Sequence, residues 1–295
     1  MPEFYSLPTQ ALENQHLRLE FLAEAGPRIV RLFVAGSTEN LLAELPDLKT
    51  STPYGDYYFR GGHRLWHAPE AMPRTYVPDN AGLTVEKTVD GVRLVQPVEE
   101  PTGIRKSMEL RLHPDRPAVT IDHWLENQGL WPVELAPWAL TMLPLGGVAI
   151  LPQTTVPLDT PGLLPNRHLV LWPYTRWSDP RLELHDDLVL LQAWRLLPPC
   201  KVGYLNWRGW IAYLRNGVLF RKVFQPQPGR AHPDFGCNAE FYCNDLFIEM
   251  ETVAPLARLE PGQSVAHTET WEFTLGVEEP PTIIGVRSLI RRLGL

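Results

Sequence analysis

The feature that most restricts this chain is the recurrence, from end to end, of paired strand-like runs joined by turn residues. Trp210–Arg215 and Val218–Phe224 flank Asn216-Gly217, the strongest short hairpin signal a sequence offers. Residues 83–89 and 92–97 flank Asp90-Gly91 in the same way. Residues 17–23 and 28–34 are separated by Glu24-Ala25-Gly26-Pro27, and residues 107–112 and 118–125 by a proline-bounded turn, His113 to Pro117. Residues 246–252 and 264–274 add two more strands, with Pro261-Gly262 turning the chain into the second. Thirty prolines and 21 glycines in 295 residues leave little room for long helices. The exception is residues 283–295, where Ile284, Leu289 and Leu293 predict a short amphipathic helix. Sheets with one apolar face must bury it, so the expected fold class is all-β, an antiparallel sandwich or barrel forming a single domain over residues 1–295.

Composition narrows the function classes. A net charge of -7 and a pI near 5.7 give no electrostatic footprint for nucleic acid. No apolar run approaches the roughly 18 residues of a membrane span. The start, Met1-Pro2-Glu3-Phe4, lacks a basic region followed by an apolar run, so no signal peptide is expected and a cytoplasmic location is. Cys200, Cys237 and Cys243 form neither an even set nor a metal spacing and read as reduced thiols. No metal and no cofactor is expected. Residues 152–173, rich in proline, predict a long surface excursion.

Three segments carry the polar chemistry. The first runs from Phe59 to Glu70, where Gly61-Gly62 permits a tight turn or close approach to a ligand. Around that pair stand Arg60, His63, Arg64, Trp66, His67 and Glu70, a density of titratable groups suited to a small polar ligand, or alternatively a solvated loop. In the second, strand alternation puts Phe247, Glu249 and Glu251 on one face and Ile248 and Met250 on the other. Two carboxylates so placed raise one pKa and suit a base, the bland alternative being a solvated acidic edge. The third is a Pro-Gly turn followed by a strand with Val265, His267, Glu269, Trp271 and Phe273 on one face. Ten tryptophans are many for this length; some must fill the core, and others suit platforms for the C–H face of a sugar.

Together these segments resemble the galactose mutarotase (aldose 1-epimerase) superfamily. The resemblance rests on Arg60-Gly61-Gly62, on Glu251-Thr252 in a late strand, and on the turn Leu259-Glu260-Pro261-Gly262 before an aromatic closing strand. It implies a β-supersandwich of two large antiparallel sheets with a monosaccharide on one face, and a small-molecule carbohydrate as partner. It also implies a base that takes the anomeric hydroxyl proton and an acid that protonates the ring oxygen. The base aligns with Glu251, with Glu249 as competitor. The family's acid is a central-strand histidine, and Trp138 stands in its place here. An indole N–H donates a hydrogen bond but shuttles no proton. The acid is therefore expected from His63 or His67, with Arg60, Arg64, Trp66, Glu70, Arg74, Trp138, His232 and Asp234 binding substrate. His123 shares a strand face with Val119, Ile121 and Leu125 and reads as core. Two functions follow: a mutarotase-like isomerase interconverting anomers, or a non-catalytic carbohydrate-binding protein that kept the groove and lost the relay.

Overall fold

The computed structural model describes residues 3–295. Its alternating runs form two large sheets in which every neighbouring pair of strands is antiparallel. Among the described residues the first sheet has eleven strands. Its spatial order is Glu3–Phe4, Leu7–Glu13, Leu17–Leu22, Arg28–Val34, His63–Ala68, Val133–Leu143, Ile248–Val253, Ala239–Cys243, Cys200–Tyr204 and Val170–Leu171. Ala257–Leu259 pairs with the start of Val133–Leu143. The ten-stranded second sheet runs Leu182–Leu184, Leu188–Gln192, Val148–Pro152, Trp210–Arg215, Val218–Phe224, Ser264–Thr274, Ala118–Asn127, Ile104–Leu112, Val92–Val95 and Thr84–Lys87. The expected hairpins appear at Asn216-Gly217 and Asp90-Gly91.

One face of each sheet supplies the main core. Leu19, Phe21, Leu32, Leu65, Phe241, Ile248 and Met250 from the first sheet pack against Met108, Ile121, Leu125, Leu191, Phe220 and Trp271 from the second. The alternation that predicted opposite faces for Ile248 and Glu249 holds along that strand.

The C-terminal helix, Ile283–Leu293, starts where the Thr282 side chain accepts from the Gly285 N–H and ends at Gly294, whose φ of 66° is left-handed. It lays Val286 and Leu289 on Val148, Ile150, Leu188 and Leu190, on the outer face of the second sheet. Ile284, expected on its apolar side, is instead 78% exposed, one step out of register with Val286 and Leu289. The predicted excursion is real: between Pro152 and Val170 no strand forms among the described residues.

Gly61 and Gly62 carry the chain from a two-stranded hairpin, Glu44–Thr52 with Gly55–Gly61, into the first sheet at His63. Both have positive φ, 81° and 63°. A Cβ on Gly61 would lie 2.0 Å from the Ala43 carbonyl oxygen, and one on Gly62 would lie 2.0 Å from that of Ile29. The pair serves backbone-to-backbone approach, not approach to a ligand.

Candidate functional site

On the outer face of the first sheet, five adjacent strands build the floor of a cavity of about 390 Å³. Directly opposed residues of antiparallel strands share a face, so register fixes which side chains meet there. One row reads Arg64, Leu140, Glu251, Glu240 and Gly203 across the sheet; the next reads Met142, Glu249, Tyr242 and Lys201. Trp66 and Trp138 are likewise opposed, and their rings meet edge to face at 5.4 Å. Walls rise from the hairpin (Leu48, Phe59), from the loop after Ala68 (Glu70, Tyr76), from the long excursion (Trp172, Tyr174) and from the turn before Glu249 (Asn244, Phe247).

The charges in this floor are paired. Arg64 lies 2.8 Å from Glu249 Oε1 while its guanidinium stacks 4.1 Å from the Trp66 ring. Lys201 Nζ sits 2.8 Å from Glu240 Oε2 and 3.0 Å from Glu251 Oε2, between the rings of Trp138 and Trp172, each 4.6 Å away. Glu251 Oε2 also accepts from Trp138 Nε1 at 2.8 Å.

Burial alone would lower the Lys201 ammonium, but Glu240 and Glu251 outweigh it and hold the proton on. Burial, helped by Glu251 and Asp234, raises Glu240 well above the usual carboxylate range even beside Lys201. Burial also raises Glu249, with Arg64 opposing and Glu251 adding. Tyr76, Tyr174 and Tyr242 all have raised pKa values, chiefly from burial. Their hydroxyls are therefore firm hydrogen-bond donors and reluctant acids. Tyr76 already donates to Glu70. Several buried polar atoms keep unused capacity at this floor: Arg64 Nε and Nη1, Glu249 Oε1 and Glu251 Oε1.

His63 and His67, expected as acids, lie elsewhere. They alternate with Arg64 and Trp66 along one strand, so they face the space between the sheets. His63 accepts from Thr141 Oγ1 at 2.8 Å and donates from Nε2 to His123 Nε2 at 2.8 Å. The direction follows from His123, whose Nδ1 must donate to the His267 carbonyl at 2.9 Å and whose Nε2 is therefore bare. Burial lowers His63 well below its ordinary pKa, and lowers His123 too, so both rings are neutral. The seam continues through Thr252, which accepts from His267 Nε2 and donates to Glu269; Glu269 also holds Lys222 at 2.9 Å. His63, His123 and Glu269 place donor atoms within 4.8 Å of one another, a spacing a metal would accept. Their lone pairs and protons are already spent on each other, on the threonines and on Lys222, so the set does not fit a metal ion. His67 stands 3.8 Å from Glu99, which also pairs with Lys106.

Four of the residues expected to bind substrate do not border this cavity. Arg60 is spent on Asn80 and the Tyr58 ring, and Arg74 on the Pro69 carbonyl; neither borders the cavity. His232 is held by the Arg230 carbonyl in its own loop. Asp234 lies behind the floor, close to Glu240 and Lys201. Arg64, Trp66, Glu70, Trp138 and Glu249 border the cavity, while Glu251 lies beneath it under Trp138 and Lys201. Sequence reasoning missed Lys201, Glu240, Tyr242, Tyr174 and Trp172. Glu240 and Tyr242 share one face of their strand by simple alternation, but Lys201 meets them only through a pairing of strands distant in sequence.

No family model matches the sequence, and no curated protein matches it. Solved structures do match it in shape. A TPR-domain containing protein from Parabacteroides distasonis aligns over 94% of this chain with a TM-score of 0.63 and 13% identity; this chain spans 48% of that protein's length. A galactose mutarotase-like protein from Lactobacillus casei aligns over 90% of this chain and 100% of its own, with a TM-score of 0.61 and 11% identity. The chain has the galactose mutarotase-like fold. A galactose mutarotase related enzyme from Lactobacillus acidophilus shares it over 92% of this chain and 99% of its own, at TM-score 0.54 and 10% identity. A shared fold does not carry a shared reaction.

Proposed function

We propose that this chain binds a neutral monosaccharide in the cavity over Trp66 and Trp138, as a carbohydrate-binding protein that does not catalyse ring opening. The observation that carries this reading is the cavity's proton inventory. Opening a pyranose needs a base at the anomeric hydroxyl and an acid that gives up a proton to the ring oxygen. Among the described residues no histidine borders the cavity, and its titratable donors Lys201, Tyr76, Tyr174 and Tyr242 hold their protons above their ordinary pKa values. Aromatic walls, tyrosine hydroxyls and a fixed Arg64–Glu249 pair suit a polyol, which needs apolar faces and many neutral hydrogen bonds. A phosphorylated sugar fits poorly, because both cations are already matched by carboxylates.

One observation favours the second reading, an aldose 1-epimerase. Burial raises Glu249 toward the range where a carboxylate works best as a base, and it borders the cavity. Tyr174 would then have to supply the acid. Titration calorimetry over D-galactose, D-glucose and their 6-phosphates, with exchange NMR of the anomers, tests both. The expected result is binding of the neutral sugars, weak or no binding of the phosphates, and anomer exchange at the uncatalysed rate. Catalysed exchange that Glu249→Gln abolishes would establish the epimerase, and a chain that binds no sugar would overturn both.

A further inference from the structure

A second cavity, of about 360 Å³, adjoins the first. Trp172 borders both. The second is otherwise lined by Val170, Leu171, Pro173, Asp234 and Phe235. Its placement depends on Gly203, which pairs with Val170 across the sheet edge: a Cβ there would stand 3.2 Å from Trp172 Cη2 and 2.8 Å from Cys237 Sγ. The Trp172 ring thus lies down on bare backbone, with Lys201 against it. It forms a shared wall rather than a freely rotating surface ring.

The loop opposite is unusual. Asp234 and Phe235 both occupy the left-handed region, with φ of 52° and 58°, and Gly236 follows at 92°. Side chains with a Cβ avoid that region, and runs of it mark sites where the conformation serves a purpose. Here it turns two successive residues in opposite directions. Asp234 borders the second cavity on the side of Glu240 and Lys201. Phe235 goes outward and is 92% exposed, although it is a large apolar ring. A strained backbone that holds an aromatic ring in solvent, beside a carboxylate and across the Trp172 ring from an aromatic-walled polar cavity, is suited to an amphipathic ring-shaped ligand. A flat C–H face would meet Phe235, and hydroxyls would meet Asp234.

We propose that Trp172, Asp234 and Phe235 form a second sugar subsite, and that the ligand is a disaccharide or longer glycan with one residue in the first cavity and the next over Phe235. The inference rests on the first cavity binding a sugar. The Trp172 wall common to both cavities selects a glycan over a protein partner, since one chain of repeating chemistry then occupies both sides of that ring.

The test compares D-glucose and D-galactose with maltose, cellobiose and lactose by titration calorimetry, on the full chain and on Phe235→Asn. Asparagine tolerates the left-handed backbone, and the exposed ring supports no core, so the variant folds. At least one disaccharide is expected to bind about tenfold tighter than its monosaccharide, the gain falling away in Phe235→Asn and persisting in Phe235→Tyr. Monosaccharide affinity is expected to change less than about twofold. If monosaccharides bind but no disaccharide gains, or Phe235→Asn leaves the gain intact, the second subsite is overturned and the first cavity stands. If no sugar of either size binds, both fall.

Discussion

The Trp138 indole N–H donates to Glu251 Oε2 at 2.8 Å, at the position where the family resemblance led one to expect a proton-shuttling histidine. The contact replaces an exchangeable proton with a fixed one and ties Glu251 into the floor. Trp138→Phe keeps the ring and removes the donor. Chemical denaturation is expected to show a loss of about 1–3 kcal/mol, the cost of leaving a buried charged acceptor short of a partner. An unchanged midpoint would mean that Lys201 alone satisfies Glu251.

The Lys201 ammonium lies between Glu240 and Glu251, all three buried. Lys201→Met should cost about 3–5 kcal/mol, since it strands a buried carboxylate without its counter-charge. Adding Glu251→Gln should recover more than half of that loss, because the stranded charge goes with it. If the double variant is no more stable than the single one, the cost comes from packing between Trp138 and Trp172 instead.

His267 has its pKa pushed down to about 3, chiefly by burial, from an ordinary 6.5. The sign follows directly. Above pH 6.5 neither folded nor unfolded chain carries the proton, and the contribution to stability is complete. As pH falls from 6.5 toward 3 the unfolded chain takes up a proton that the folded chain refuses. Stability should then fall by about 1.4 kcal/mol per pH unit from this group. The check is the difference in unfolding free energy between the wild-type chain and His267→Gln, measured from pH 7.5 to 4.5. A flat difference would show that His267 is protonated in the native state.

Gly62→Ala should be more damaging than an ordinary overpacked core position, about 3 kcal/mol or more, since a methyl group meets a carbonyl oxygen at 2.0 Å on left-handed backbone. Gly203→Ala should cost about 1–3 kcal/mol, because Cys237 and Trp172 can shift by a few tenths of an ångström. It should also alter Trp172 fluorescence, whereas Gly62→Ala affects stability alone. Equal losses at both sites would contradict the geometry.

Much of the fold was legible because turn chemistry is local. Asn216-Gly217 and Asp90-Gly91 mark their hairpins without reference to anything distant. The faces of Ile248–Val253 were legible for the same reason, from alternation alone. Alternation also separates His63 and His67 from Arg64 and Trp66, yet the density of polar groups suggested one site where the strand supports two environments. Lys201 could not have been found from its surroundings in sequence. Its significance arises only when Cys200–Tyr204 and Ala239–Cys243 pair and set it beside two acids of a hairpin that lies far from it along the chain.

The strand His63–Ala68 behaves as a party wall between two tenants. On one side Arg64 and Trp66 furnish the cavity; on the other His63 joins the seam that crosses between the sheets and His67 faces Glu99. Substitutions at the even positions can refit the cavity for a different ligand and leave that seam as it was. The mutarotase-like scaffold can therefore change occupants without rebuilding the house.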